Sequence, residues 1–192
     1  MKTMKTNHRR LQGRRRWGIT LAMVILAGYA SLSITFASDQ EFCEIHGTPL
    51  NSPNDAAALE GVEVGRILWD VTISDPEFLA GRLAVIKQTY RDLVRQDVTP
   101  KMVLAFRGGS VRLLSEDLEF LDEEDREAAK EAQKLLKNLA SQPGVRLESC
   151  YIAMRRVPLE ADHLLSDVHT VGNTFLSAAG YGQKGYVSIP IH

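Results

Sequence analysis

Two cysteines, Cys43 and Cys150, are the residues of this chain best suited to covalent chemistry. Cys150 falls at the carboxyl end of a predicted strand, where open α/β sheets place their ligand clefts. If a helix begins at Tyr151, its amino end would stabilise a thiolate, and Arg155 and Arg156 would add positive potential. Such a thiolate would serve as a nucleophile or a sulfur acceptor. The alternative is a buried and inert cysteine, since free cysteine is among the most buried residue types.

Cys43 offers two further alternatives. In an oxidising compartment it would readily form a disulfide with Cys150, although spacing along the chain does not decide whether the two approach closely enough. Cys43 and His46 could instead begin the metal site of a redox protein. Zinc requires three or four ligands, which would have to come from Cys150, His163 and His169. We therefore expect no metal or other cofactor, and the lack of a Cys-x-x-Cys-His sequence argues against covalent haem.

A pair of glycines follows the second predicted strand, in the run Arg107-Gly108-Gly109-Ser110. Their backbone amides could hold an anion, but the spacing and the lysine of a phosphate-binding loop are missing. We therefore expect a plain strand-to-helix turn. His169, in or beside a later strand, is expected to be structural, and the sequence shows no Ser/His/Asp arrangement and no carboxylate pair of defined spacing.

Five short strands must position these residues. They are predicted at Arg66–Thr72, Met102–Phe106, Val145–Cys150, Val168–Val171 and Tyr186–Ile189. Helical patterns lie between them, and strands that alternate with helices predict a mostly parallel sheet covered on both faces. The fold class is therefore α/β.

Four helical segments separate the strands. The first follows a cap at Asp75, with Pro76 at its first position. Its apolar stripe comprises Leu79, Leu83, Ile86, Tyr90 and Leu93. The second begins at Asp122 and stops at Pro143, with an expected buried face of Ala128, Ala132, Leu135, Leu136 and Leu139. The last two are expected at Tyr151–Leu165, interrupted by Pro158, and at Asn173–Tyr181.

Residues 1–37 carry the pattern of a signal peptide or an N-terminal membrane anchor. Seven cations and no acid precede Trp17, and no charged residue occurs from there to Phe36. Cleavage is expected after Ala37. An uncleaved anchor is the alternative, because the apolar stretch is close to the ~20 residues that span a membrane. In both cases the positive flank stays inside, so we expect an exported, periplasmic protein whose only membrane contact is an uncleaved N-terminal segment.

The remainder of the chain divides into two parts. Residues 38–64 are rich in turn formers and are expected to be an extended tether, and residues 65–192 suit one domain. Because seven of the 23 Lys and Arg and none of the 24 Asp and Glu lie in the leader, the other residues carry 16 cations against 24 acids, a formal charge of −8. This balance argues against a nucleic-acid partner, which requires a basic surface.

Four segments in order resemble the DsrE/DsrF-like family of small sulfur-handling proteins. They are Ile67–Val71 with Ser74-Asp75-Pro76, Met102–Leu114, Gly144–Cys150 and Gln183–Pro190. The resemblance implies a three-layer α/β sandwich with a five-stranded sheet, and homo-oligomers, usually trimers or hexamers. It also implies that Cys150 matches the cysteine that carries a persulfide in family members that relay sulfur. Family members of that kind work in the cytoplasm, whereas this chain has an export pattern.

Two hypotheses for the function follow. In the first, this exported protein carries sulfur as a persulfide on Cys150, with a sulfur-donor or redox protein as its partner. In the second, it is a non-enzymatic binding or assembly module of the periplasm with a structural Cys43–Cys150 disulfide. The state of the two thiols distinguishes these hypotheses.

Overall fold

A single five-stranded sheet organises the chain in a computed structural model, which describes residues 53–157 and 159–192. Its strands are β1 (Val64–Val71), β2 (Thr99–Phe106), β3 (Val145–Cys150), β4 (Val168–Val171) and β5 (Val187–Ile191). The strand order is β4-β3-β2-β1-β5, and every neighbouring pair is parallel. The predicted α/β class is confirmed, and the sheet is parallel throughout.

Helices cover both faces of this sheet and produce the expected three layers. The helices are α1 (Ala56–Leu59), α2 (Pro76–Arg95), α3 (Glu123–Ala140), α4 (Tyr151–Met154) and α5 (Thr174–Gln183). On one face α2 and α3 pack against each other and enclose the larger apolar core. On the other face Leu68, Val103 and Ala105 pack against Ala178 and Tyr181 of α5. A single short helix thus covers the second face.

Helix α2 forms as its sequence predicts. The carboxylate of Asp75 accepts a hydrogen bond of 2.7 Å from the backbone N–H of Phe78, and Pro76 occupies the first position. Both features satisfy the first turn, where N–H groups have no partner within the helix. The whole predicted stripe is buried, from Leu79 to Leu93. Asp122 precedes α3 as predicted, although its side chain accepts no capping hydrogen bond.

The buried face of α3 differs from the predicted one. Ala128 and Leu135 are only half-buried, whereas Gln133 takes a buried position. Gln133 is stable there because its Nε2 atom donates hydrogen bonds of 3.1 and 2.7 Å to the carbonyl oxygens of Leu113 and Ser115. A polar side chain on the core face is invisible to a search for apolar spacing, and that explains the error.

The segment after β3 also differs from its prediction. Instead of one interrupted helix over Tyr151–Leu165, α4 ends at Met154, and a single 3₁₀ turn follows at Ala161–His163. The proline that follows Val157 disfavours helical geometry at that residue, and so ends the helical pattern early. The segment therefore runs as a loop along the carboxyl edge of the sheet.

The end of the expected tether contacts the domain. The backbone N–H of Asp55, next to α1, donates to the side chain of Gln96 at 2.6 Å, and Arg95 donates to the carbonyl of Pro53. The predicted leader, Cys43 and His46 lie outside the described residues. Within the described ranges, no helix is long and apolar enough to cross a membrane.

Candidate functional site

Cys150 lies at the carboxyl end of β3, the position predicted for it, and α4 begins at the next residue. Its thiol forms no disulfide with any of the described residues, and the residue is only 4% exposed. The backbone N–H groups of Thr174, Ala153 and Ile152 and the Thr174 hydroxyl lie around the sulfur and favour its thiolate form. We call these four donors and the sulfur the thiolate site.

The thiolate site lowers the pKa of the Cys150 thiol. Burial alone raises this pKa, because it disfavours the charged form. The hydrogen bonds from Thr174, Ala153 and Ile152 stabilise the thiolate and outweigh the effect of burial. A thiolate is the nucleophilic form of cysteine, so the site favours the reactive state.

Two helix starts supply the backbone donors. Ile152 and Ala153 lie in the first turn of α4, and Thr174 is the first residue of α5. Such N–H groups have no carbonyl partner within their own helix and are free to bind a negative charge. Asn173 caps α5, since its side chain accepts a hydrogen bond of 3.0 Å from the N–H of Phe175. The cap leaves the N–H of Thr174 for the sulfur.

The Thr174 hydroxyl has no apparent role outside the thiolate site. Thr174 is 2% exposed, and its Oγ1 atom has no hydrogen-bond partner within the described part of the chain. A buried hydroxyl without a partner costs free energy. Ionisation of Cys150 would give this hydroxyl an acceptor, and Thr174 thereby lowers the pKa of the thiol further.

A cleft of about 430 Å³ opens beside Cys150. Its walls include Arg107, Gly108, Arg156, Asn173 and Phe175. These residues come from the loops after β2, β3 and β4, whose carboxyl ends meet at this edge of the parallel sheet. The cleft therefore lies where a ligand crevice is expected in an α/β fold.

Arg107 is fixed in the wall of this cleft by two neighbours. Its Nε and Nη2 atoms each donate a hydrogen bond of 2.7 Å to the carboxylate of Asp70. Its guanidinium also lies 4.9 Å from the centre of the Phe175 ring. The hydrogen bond with Asp70 raises the pKa of Arg107, and the nearby Cys150 thiolate adds to this rise. Arg107 is thus a permanent positive charge close to the sulfur.

The two glycines after Arg107 form a turn, as predicted, and begin a 3₁₀ segment at Gly108–Leu114. Gly108 has a φ of +65°, a conformation that side chains disfavour. A Cβ atom on Gly109 would lie 2.9 Å from the Cβ of Ser74, so this position also requires glycine. The turn holds Arg107 in place and exposes backbone at the cleft.

A second cleft, of about 450 Å³, was not anticipated from the sequence. Its walls include Arg112, Phe120, Arg156, Val157 and His163. Arg112 lies over the Phe120 ring, with its guanidinium carbon 4.5 Å from the ring centre. These residues lie far apart along the chain, with α3 and β3 between Phe120 and Arg156, so no sequence signal joined them.

The other predicted residues take different places. Arg156 lines the first cleft, but Arg155 lies over the ring of Tyr151, outside the cleft wall. His169 is exposed on β4 and pairs in register with Glu148 of β3. Among the described residues, no group of His, Cys, Asp and Glu could hold a metal ion. Cys43, the predicted disulfide partner, lies outside them.

The sequence has a distant curated relative. No family model matches it. An uncharacterized protein of Aquifex aeolicus (strain VF5) is 24% identical over 125 residues, which is 65% of this chain and 55% of that protein. The chain thus spans about half the length of this curated relative.

Solved structures resemble the fold more clearly. A protein of unknown function from Methanobacterium thermoautotrophicum, MTH1491, has a TM-score of 0.53 at 17% identity, over 66% of this chain and 98% of that one. The ychN protein from E. coli, at 13% identity, covers 66% of this chain and 100% of its own with a TM-score of 0.48, too low to support an inference. The chain therefore shares with MTH1491 the three-layer α/β fold that the DsrE/DsrF-like resemblance implies.

Proposed function

We propose that this protein is an exported, DsrE-like sulfur carrier that accepts a sulfane sulfur on Cys150 as a persulfide. The thiolate site carries the proposal, because four hydrogen-bond donors converge on one sulfur at the edge of an open cleft. The free N–H groups of two helices are not expected around an inert core cysteine. The family resemblance supports the same function, and the N-terminal pattern supports the exported location alone.

The transfer step needs only a thiolate and a donor with a labile sulfur–sulfur bond. The Cys150 thiolate attacks the outer sulfur of a protonated persulfide, R–S–SH, and a bond forms between the two sulfurs. The sulfur–sulfur bond of the donor breaks, and R–S⁻ leaves with the electron pair. Cys150 is left as Cys–S–SH, and no external oxidant is required.

The cleft can accommodate the added sulfur. Cys150 is buried, so the extra atom must extend into the space between Arg107 and Arg156. Both side chains would stabilise a persulfide anion there, because opposite charges favour the ionised form. The donors of Ile152 and Thr174 would remain on the inner sulfur.

Thiol chemistry tests the proposal directly. The purified full chain is incubated with a persulfide donor, its remaining thiols are alkylated, and its intact mass is measured with and without reductant. We expect a gain of one sulfur atom that reductant removes, that persists in Cys43→Ser and that disappears in Cys150→Ser. Equal loading of Cys150→Ser would refute the carrier function. A loss of two hydrogens that joins Cys43 to Cys150 would favour the structural module instead.

A further inference from the structure

The two clefts adjoin each other along the loop after α4. Arg156 and Val157 belong to the walls of both. A ligand whose reactive end meets Cys150 can therefore extend past Arg156 toward Arg112. The proposed sulfur chemistry uses the first cleft and leaves the second without a role.

The second cleft has the charge of an anion site. Arg112 and Arg156 form no ion pair within the described part of the chain, and the His163 ring lies in the same wall. Asp117 is the acid in this wall, and its Oδ1 atom already accepts a hydrogen bond from the N–H of Glu119 at 2.8 Å. Two unpaired guanidinium groups in one cleft favour a carboxylate, which each can bind through two parallel hydrogen bonds.

Arg112 is also held in position before any ligand arrives. Its guanidinium stacks on Phe120, and a stacked arginine loses less freedom when it forms hydrogen bonds. Preorganisation of this kind increases affinity, because the cost of ordering the side chain is already met.

The size of the clefts argues against a small inorganic donor. A water molecule has a share of about 30 Å³ in the liquid. An inorganic sulfur anion of about five heavy atoms, at a similar volume for each, would fill roughly a third of the first cleft and none of the second.

We propose that the sulfur donor is an organic persulfide that bears a carboxylate, and that this carboxylate binds Arg112 and Arg156 while the persulfide reaches Cys150. This inference rests on the proposed function. The transfer follows the same balance of atoms: the outer sulfur moves to Cys150, and the organic thiolate leaves with the electron pair. After transfer, the thiolate product still carries its carboxylate and departs through the second cleft.

The test compares two donors that differ only in their carboxylates. Glutathione persulfide has two carboxylates, and its diethyl ester has none. Loading rates of Cys150 with each donor are measured by intact mass for the wild type, Arg112→Gln and Arg82→Gln. Arg82 is the matched control, because it too lies over a phenylalanine ring, that of Phe78 at 4.7 Å, but in α2 and outside both clefts.

We expect Arg112→Gln to slow loading from glutathione persulfide about tenfold and to leave loading from the diethyl ester unchanged. That magnitude is typical of the loss of one charge-assisted hydrogen-bonding partner. Arg82→Gln should match the wild type with both donors. Equal rates for the two donors in the wild type, or an equal loss with both in Arg112→Gln, would overturn the inference while the carrier function stands.

Failure of the carrier function itself gives a different result, since no donor would then load Cys150. Binding of S-methylglutathione, which cannot transfer sulfur, to the Cys150→Ala variant separates the two cases. Calorimetry should detect this binding and its loss in Cys150→Ala/Arg112→Gln. An absence of binding in Cys150→Ala would overturn the carboxylate site whatever the loading experiment shows.

Discussion

Arg107 and Asp70 form a two-point ion pair across neighbouring strands, with both nitrogen–oxygen distances at 2.7 Å. Asp70 lies in β1 and Arg107 directly follows β2, so the pair joins the ends of two strands at the cleft. The ion pair holds Arg107 beside Cys150, and the carboxylate of Asp70 partly neutralises the charge of this arginine.

Substitution of Asp70 by Asn should separate the positioning of Arg107 from the partial neutralisation of its charge. The amide keeps the shape of the carboxylate but loses its charge, so Arg107 acts on the thiolate with less opposition and the pKa of Cys150 falls. Alkylation of Cys150 near neutral pH should become faster, while the free energy of unfolding falls by about 1 to 2 kcal/mol. Asp92→Asn is the control, because its pair with Arg95 has similar exposure but lies on α2. Slower alkylation in Asp70→Asn would contradict the assigned role of Arg107.

The lowered pKa of Cys150 predicts a pH-dependent stability. Between the pKa of the folded thiol and its ordinary value near 9.0, the unfolded chain binds more protons. The free energy of unfolding should therefore rise with pH across this window, be fully enhanced above the ordinary pKa, and lose that enhancement as the pH falls through the folded value. Urea unfolding of the wild type and Cys150→Ala from about pH 6 to 10 measures the difference, in which other titrating groups cancel. A constant difference would mean that the folded thiol titrates normally.

Thr174→Val removes one donor of the thiolate site and keeps the volume of the side chain. The pKa of Cys150 should rise and alkylation near neutral pH should slow, because the backbone donors remain but the hydroxyl is lost. Stability should change little, since that hydroxyl has no hydrogen-bond partner among the described residues. Thr170→Val, at an exposed position on β4, should alter neither property. The pH dependence of iodoacetamide labelling distinguishes the two variants, and an unchanged profile in Thr174→Val would exclude the hydroxyl from the site.

Self-association is the remaining prediction, and α5 is its expected location. Phe175, Leu176 and Val187, on α5 and β5, are exposed by 64%, 71% and 64%. Exposed apolar side chains on neighbouring elements favour an interface between copies, in agreement with the oligomers that the resemblance implies. Leu176→Glu should lower the molar mass measured by light scattering. Val85→Glu, at an exposed position on α2, is the control, and an unchanged mass in Leu176→Glu would place the interface elsewhere.

The sequence predicts the sheet well because each strand of this fold is short, apolar and bounded by turn residues. Cys150 could be placed at a strand end for the same reason. The core face of α3 could not be predicted correctly, since Gln133 reaches two carbonyl groups that only the folded chain brings near it. Apolar spacing records burial and gives no information on hydrogen bonds to distant backbone.

For a related reason, the sequence predicted the donors of α4 in the thiolate site but not those of Thr174. The helix start after Cys150 adjoins it in sequence and was expected to stabilise a thiolate. Thr174 is far along the chain, and only the packing of α5 against the sheet brings it to the sulfur. Asp70 could have been suspected, as the one charge in the apolar run Ile67–Val71. For Arg112 and Phe120, the sequence gives no comparable indication that they belong to a site.

The division of the thiolate site between two helices has a consequence for the newly made chain. Cys150 is synthesised before Thr174, and β5 comes later still, so the donors of α5 reach the sulfur only after nearly the whole domain has been made. Until then the cysteine keeps the reactivity of an ordinary thiol. Completion of the fold is therefore what activates it, and an unfinished chain is protected from reacting too early.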